Sequence, residues 1–396
     1  MRYLPVLLLA LLIGCTPDSP EERTPPEALR TLLDEVQQRH APDRRVALLQ
    51  LETRWEDGHW IVSGETNLPE AQAELQSALQ QFGAQSEIRL LPDSTLEGQH
   101  HGIVRLSACN IRSEPRHSGE LSTQALLGTP LKVYKKKDGW YLVQTPDGYL
   151  GWLDEGGFVP MDESAFEAWL DAPKAIFLSD FGFAYAKADE NAEITTDLLA
   201  GNLLILEQRQ GSFTKIQLPD GRPGFVPTEE LLSYSEWLDK RQASADEILK
   251  SAKRFLGRPY LWGGTSGKGV DCSGFTKTVF FLHGMMLPRD ASQQVAVGAA
   301  VPAEEDLSSL QPGDLLYFGR AASAGENEKV THVALYMGDG KIIHATGNVK
   351  IESLRPEDPD FAKDRLMTFL RARRLLLPEL IDSLAVENYK GYGVER

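Results

Sequence analysis

Two stretches of the chain repeat one another, and the repeat restricts what the middle of the molecule can become. "DGWYLVQTPDGYLGWL" (Asp138–Leu153) returns as "QGSFTKIQLPDGRPGFV" (Gln210–Val226). Each copy reads as a strand, a PDG turn and a second strand in which a glycine precedes an aromatic residue. Turn residues and alternation of this kind build hairpins of small antiparallel barrels. Residues 100–160 and 172–235 are therefore expected to be two all-β barrels, with Cys109 a small buried hydrophobe in the first strand of the first.

The flanking regions differ in texture. Residues 26–95 alternate between helical spacing ("EALRTLLDEVQQRH", "EAQAELQSALQQFG") and strand-like runs ("RVALLQLETRW", "GHWIVSGET", "SEIRLL"). They predict a small α+β unit without a catalytic constellation. From Ser244 the pattern becomes two helices, "ADEILKSAKRFLG" and "CSGFTKTVFFLHG", followed by four strands, "GDLLYF", "VTHVALYM", "KIIHAT" and "MTFLRARR". Helices first and an antiparallel sheet afterwards indicate a compact α+β domain over 244–375, leaving 376–396 as a tail. The formal charge of −16 and the absence of a basic stripe argue against a nucleic-acid partner.

The amino terminus reads as a targeting segment. Arg2 precedes an apolar run, Leu4 to Ile13, too short to span a bilayer core that needs about 20 residues. "LIGC" resembles the lipobox of bacterial lipoproteins, which implies a signal peptide over 1–15, lipid on Cys15 and an exported protein anchored to a bacterial membrane in the cell envelope. The polar, proline-rich stretch 16–25 suits a tether. An ordinary secretory signal with an incidental cysteine is the alternative.

Only Cys109 and Cys272 then remain, and a disulfide between them stays open at this stage. Cys272 follows a glycine-rich loop, "YLWGGTSGKGVD", and opens a helix that Asp271 is suited to cap. A helix amino terminus stabilises a thiolate and offers N–H groups to an oxyanion, so a nucleophile of depressed pKa is expected. His332 and His344 lie either side of "GDGK"; a hairpin closing about Gly338 would set them as cross-strand neighbours on one face. Cys272, His332 and His344 then form a chain of nucleophile, base and orienter. The same three residues are a possible zinc set, but no CxxC, HExxH or clustered carboxylates accompany them, and no cofactor or metal is expected.

"YLWGG", "DCSGF", "LQPGDLLYF" and "THVALYMGDGKIIHA" together resemble the NlpC family of papain-like cysteine peptidases of the bacterial cell wall, over residues 245–375. "NIRSEP" at Asn110–Pro115 is similar to the opening of bacterial SH3-like domains. The fold class expected is thus an α+β papain-like catalytic domain preceded by two SH3-like barrels and a small α+β unit. The whole arrangement is similar to γ-D-glutamyl-L-diamino acid endopeptidases acting on murein peptides with a free amino-terminal L-Ala. That resemblance implies Cys272 as nucleophile, His332 as base, His344 as third member and Tyr260 beside the oxyanion. It further implies Asp290 on the substrate amine, with Ala291 standing where a serine is expected. Glu114 and Tyr149 are present in the first barrel only, since Arg222 replaces the tyrosine in the second, and are expected to cap the pocket. Asp271 and Ser273 border the nucleophile as substrate contacts; Trp262 reads equally as cleft wall or core. The competing functions are a broader hydrolase of intact sacculi and a catalytically inactive wall-binding protein.

Overall fold

The computed structural model describes residues 23–302 and 307–392. The signal peptide, Cys15 and most of the tether lie outside these residues. Two compact units emerge: residues up to Pro42 together with Leu49–Arg89, and Asp43–Leu48 together with everything from Leu90 onward.

In the first unit, helices Glu27–His40 and Pro69–Gln81 accompany a three-stranded sheet of Leu49–Glu56, His59–Thr66 and Gln85–Leu90, in which the first two strands form an antiparallel hairpin. The helices bury the residues their spacing selects, Leu29 and Val36 on one, Ala71, Leu75 and Leu79 on the other. "RVALLQLETRW" is not one strand as expected. The strand starts at Leu49, and the residues before it belong to the second unit. There Leu48 joins Leu91, Tyr134 and Leu142 in a small apolar cluster, and the Arg45 carbonyl accepts from Leu150 N–H at 2.7 Å.

Two seven-stranded antiparallel sheets follow, spanning His101–Met161 and Lys174–Ser233. Taken from the first strand of each, their strand order is the same. The PDG turns repeat to the hydrogen bond: Thr145 N–H donates to Tyr149 O at 3.0 Å, and Leu218 N–H to Arg222 O at 2.9 Å. Gly148 and Gly221 take φ of 88° and 83°, which glycine alone adopts without strain. Cys109 is buried in the first core, and neither it nor Cys272 is in a disulfide.

The last part is built on a six-stranded sheet, in the order Ala299–Val301, Phe369–Arg374, Leu315–Arg320, Lys329–Gly338, Lys341–Thr346, Asn348–Ser353. The four expected strands are its centre, and the first and last were not anticipated. Helix Cys272–Phe281 is buried along almost its whole length; Phe275 and Val279 pack with Val333, Leu335 and Ile343 of the sheet. Gly274 makes this seating possible, because a Cβ there would lie 1.9 Å from the Gly264 carbonyl. The expected tail is not loose: a short helix, Pro378–Ser383, leads to a buried Val386 and to Tyr392, whose hydroxyl meets Thr129 at 3.2 Å.

Candidate active site

Asp271 caps the helix that begins at Cys272, its Oδ1 accepting from Gly274 N–H at 2.7 Å. The same carboxylate accepts from Gly263 N–H at 2.9 Å and from Arg289 at 2.6 and 3.2 Å. Arg289 is 1% exposed, so this ion pair is buried and hydrogen-bonded throughout. Asp271 therefore borders the nucleophile with both oxygens occupied. Its place is to hold helix, loop and Arg289 together. Ser273 Oγ joins the network, receiving Arg289 Nη1 at 3.1 Å.

The histidines come from neighbouring strands. His332 Nε2 lies 2.8 Å from His344 Nδ1, and His344 Nε2 lies 2.7 Å from Glu352 Oε2. The hairpin does not close about Gly338. Asp339 and Gly340 have φ of 51° and 74°, forming the two-residue turn typical of Asp-Gly, and a bulge at Met337 precedes it. Leu335 thus faces Ile343, so His332 and His344 sit two residues off register, diagonal on one face, and still within hydrogen-bond reach. Glu352 was missed in the sequence. It lies on the outermost strand, "NVKIES", where the alternation of Val349 and Ile351 was the available signal.

Glu352 sets the protonation pattern of the whole chain. A carboxylate only accepts, so His344 carries its proton on Nε2 and presents a bare Nδ1. That nitrogen accepts from His332 Nε2–H, which leaves His332 Nδ1 without a proton and free to act as base. The backbone N–H of Val333, next in sequence to His332, donates to the Cys272 sulfur.

Cys272 opens into a cleft of about 580 Å³ lined also by Tyr260, Trp262, Ser273, Asp290, Tyr149 and Arg45. In its wall Tyr149 donates its hydroxyl to Asp290 Oδ2 at 3.0 Å. Arg45, from the segment that left the first unit, donates to the same oxygen at 2.7 Å and to Ser292 Oγ at 2.9 Å. Asp43 holds its guanidinium from behind at 2.8 Å. Nothing in "DRRVA" announces this contact. Glu114 does not line the cleft: it is exposed and paired with Arg116 at 2.9 Å. The barrel carboxylate in the cleft is Glu120, which accepts from Trp262 Nε1 at 2.7 Å. Trp262 is 62% exposed, a wall and not a core residue. Gly263 allows this approach; with φ of 78°, it has the Leu121 carbonyl where a Cβ would be.

Residues 257–371 match the NlpC/P60 family and residues 111–157 the bacterial dipeptidyl-peptidase Sh3 domain. A gamma-D-glutamyl-L-lysine dipeptidyl-peptidase of Bacillus cereus is 34% identical over 237 residues, 58% of this chain and 68% of its own. One of the same name from Bacillus subtilis is 30% identical over 57% of this chain and 72% of its own. The chain belongs to the NlpC/P60 family. A solved NlpC/P60 family protein of Bacillus cereus superposes with a TM-score of 0.59 at 27% identity, covering 70% of this chain and all of the other.

As an NlpC/P60 cysteine peptidase the chain departs from one expectation. A resting thiolate was anticipated at the helix end. Instead burial, followed by the Asp271 carboxylate, pushes the Cys272 thiol up to about 11. Burial, Arg365 and His344 hold His332 well below the usual histidine range, and burial lowers His344 despite Glu352. Thiol and imidazole are therefore both neutral at rest, and the thiol ionises as its proton passes to His332. Burial raises the Tyr260 phenol to about 12, with Cys272 and Asp271 next in effect, which keeps it a hydrogen-bond donor.

Proposed function

We propose that this peptidase hydrolyses the γ-D-glutamyl–diamino acid bond of murein peptides that begin with a free L-Ala. Cys272 attacks the γ-carbonyl while His332 Nδ1 takes the thiol proton. The oxyanion is met by N–H groups at the start of the Cys272 helix and by the Tyr260 hydroxyl. His332 then protonates the departing amine, and water releases the dipeptide from the acyl-enzyme. The names of the two Bacillus relatives support the bond. The observation that carries the selectivity is the hydrogen-bonded cluster of Tyr149, Asp290 and Arg45 in the cleft wall.

An L-Ala ammonium at that cluster shares Asp290 with Arg45, and the second oxygen of Glu120 has no hydrogen-bond partner among the described residues. Peptides with free and acetylated amino termini test this by mass spectrometry and kcat/KM. Acetylation should reduce kcat/KM by about 30-fold or more, because it removes the charge and adds bulk beside that cluster. Asp290→Asn and Glu120→Gln should narrow that gap. Equal cleavage of both peptides by the wild type would instead favour a broader wall hydrolase. We read the two seven-stranded sheets as a tandem of SH3-like barrels. We also propose export and anchoring through lipid on Cys15, for which the support is the sequence alone.

A further inference from the structure

Thr331 lines both the cleft of Cys272 and a second hollow of about 720 Å³, which reaches Glu352 at the end of the hydrogen-bonded chain. In a protein of formal charge −16, Arg320, Lys350, Lys363 and Arg365 line this hollow, against Glu352 and Asp364 among the described residues. Arg320 is already paired with Glu326, and Lys350 with Glu352 at 2.6 Å. Lys363 and Arg365 have no ion-pair or hydrogen-bond partner for their side-chain charge among the described residues. Arg365 is half-buried on the short helix Lys363–Met367, and its field acts on Tyr260, His332 and His344. An unpaired guanidinium held partly out of water beside a reaction centre is a charge awaiting an anion.

The chemistry says which half of the substrate that anion belongs to. His332 must deliver a proton to the leaving nitrogen, so the released half lies on the histidine side while the acyl half occupies the cleft lined by Asp290. We infer that the second hollow is a leaving-group subsite in which Arg365, assisted by Lys363, binds a carboxylate of the released diamino acid. The inference rests on the reaction proposed above. That carboxylate has two sources: the α-carboxylate of a terminal residue, or a second carboxylate on the side chain of the diamino acid. A lysine side chain offers the subsite only a cation, which its excess positive charge disfavours.

The test uses the chain from residue 23 to its end and three peptides: L-Ala-γ-D-Glu-L-Lys, its carboxamide, and the α-carboxamide of the meso-diaminopimelate analogue, which keeps only the side-chain carboxylate. At least one carboxylate peptide should exceed the lysine carboxamide in kcat/KM by about 10- to 100-fold, and which one does identifies the source. Arg365→Ala should shrink the ratio to within about threefold, chiefly through KM, while Arg365→Lys keeps part of it. A second readout separates this from mere loss of structure. Three sets of groups face His332: Arg365 from its helix, His344 from the adjoining strand, and Glu352 with Lys350 beyond it. Removing Arg365 lifts a cationic influence, so the acid limb of kcat/KM should move to higher pH. If all three peptides are cleaved equally well by the wild type, or the ratio survives in Arg365→Ala, the subsite is refuted with the reaction intact. If none is cleaved, the proposed reaction fails and the subsite falls with it.

Discussion

Replacing Glu352 tests whether a residue remote from the sulfur governs its proton transfer. His344 is fully buried, and its Nε2–H has one acceptor, Glu352 Oε2 at 2.7 Å. A hydrogen bond to a charged group contributes about 1.5–3 kcal/mol, and each 1.36 kcal/mol of barrier is tenfold in rate. Glu352→Ala either strands that proton or lets His344 move it to Nδ1, where it opposes the proton on His332. The first leaves a buried donor unpaired behind the base and the second takes the free Nδ1 from His332, so kcat should fall by about 10- to 100-fold. Lys350 loses its partner too, but it is 39% exposed and water replaces the carboxylate there at little cost. Glu352→Gln retains an oxygen acceptor without the charge and should fall only about fivefold, about 1 kcal/mol. The assay is saturated turnover of a peptide whose released residue is a carboxamide, so that charge in the leaving-group hollow does not enter. Wild-type kcat in Glu352→Ala, with a thermal midpoint showing an intact fold, would refute the tautomer argument.

Two further outcomes follow from the neutral resting state. Iodoacetamide should label Cys272 slowly at pH 6 and faster as pH rises, since burial and Asp271 oppose the thiolate; rapid, pH-independent labelling would mean a preformed ion pair. Stability should fall on acidification: His332 and His344 are held below their unfolded pKa near 6.5, so the unfolded chain binds more protons below that pH. The loss begins near pH 6.5 and grows at up to about 1.4 kcal/mol per pH unit for each histidine until its folded pKa is reached. Glu352 has the same direction of dependence in a lower window, its lowered pKa adding stability that begins to be lost only as the pH falls to about 4.5. His101 and His283 shift in the same direction as the site histidines, so the difference between wild type and His344→Asn isolates the site. Thermal midpoints from pH 7.5 to 5 that run parallel in the two proteins would contradict it.

What could be read from the sequence was local. The PDG hairpins, the capped Cys272 and the alternation around His332 and His344 each reside within about a dozen residues, where turn chemistry and periodicity act. The misses depended on partners far along the chain. Glu352 becomes a member of the site only because its strand adds to the edge of the sheet beside His344. Arg45 meets Asp290 across 245 residues, through a segment whose own composition is unremarkable. The exchange of Glu114 for Glu120 turned on how the loop after "RSEP" folds, with Arg116 close enough to claim the nearer carboxylate. The sign of the Cys272 shift was misread because the helix terminus was weighed without the desolvation of a buried sulfur.

The duplicated PDG turn shows how such a cleft can change its preferences. In both copies the turn closes with main-chain atoms, Thr145 N–H to Tyr149 O and Leu218 N–H to Arg222 O, so the side chain after the glycine contributes nothing to that closure. One copy displays a phenol to Asp290; the other displays a guanidinium that folds back on Asp220 at 2.9 Å. The position is a socket. Natural drift or a designer can exchange what it holds without rebuilding the hairpin beneath it, and selectivity can move while the scaffold stays where it is.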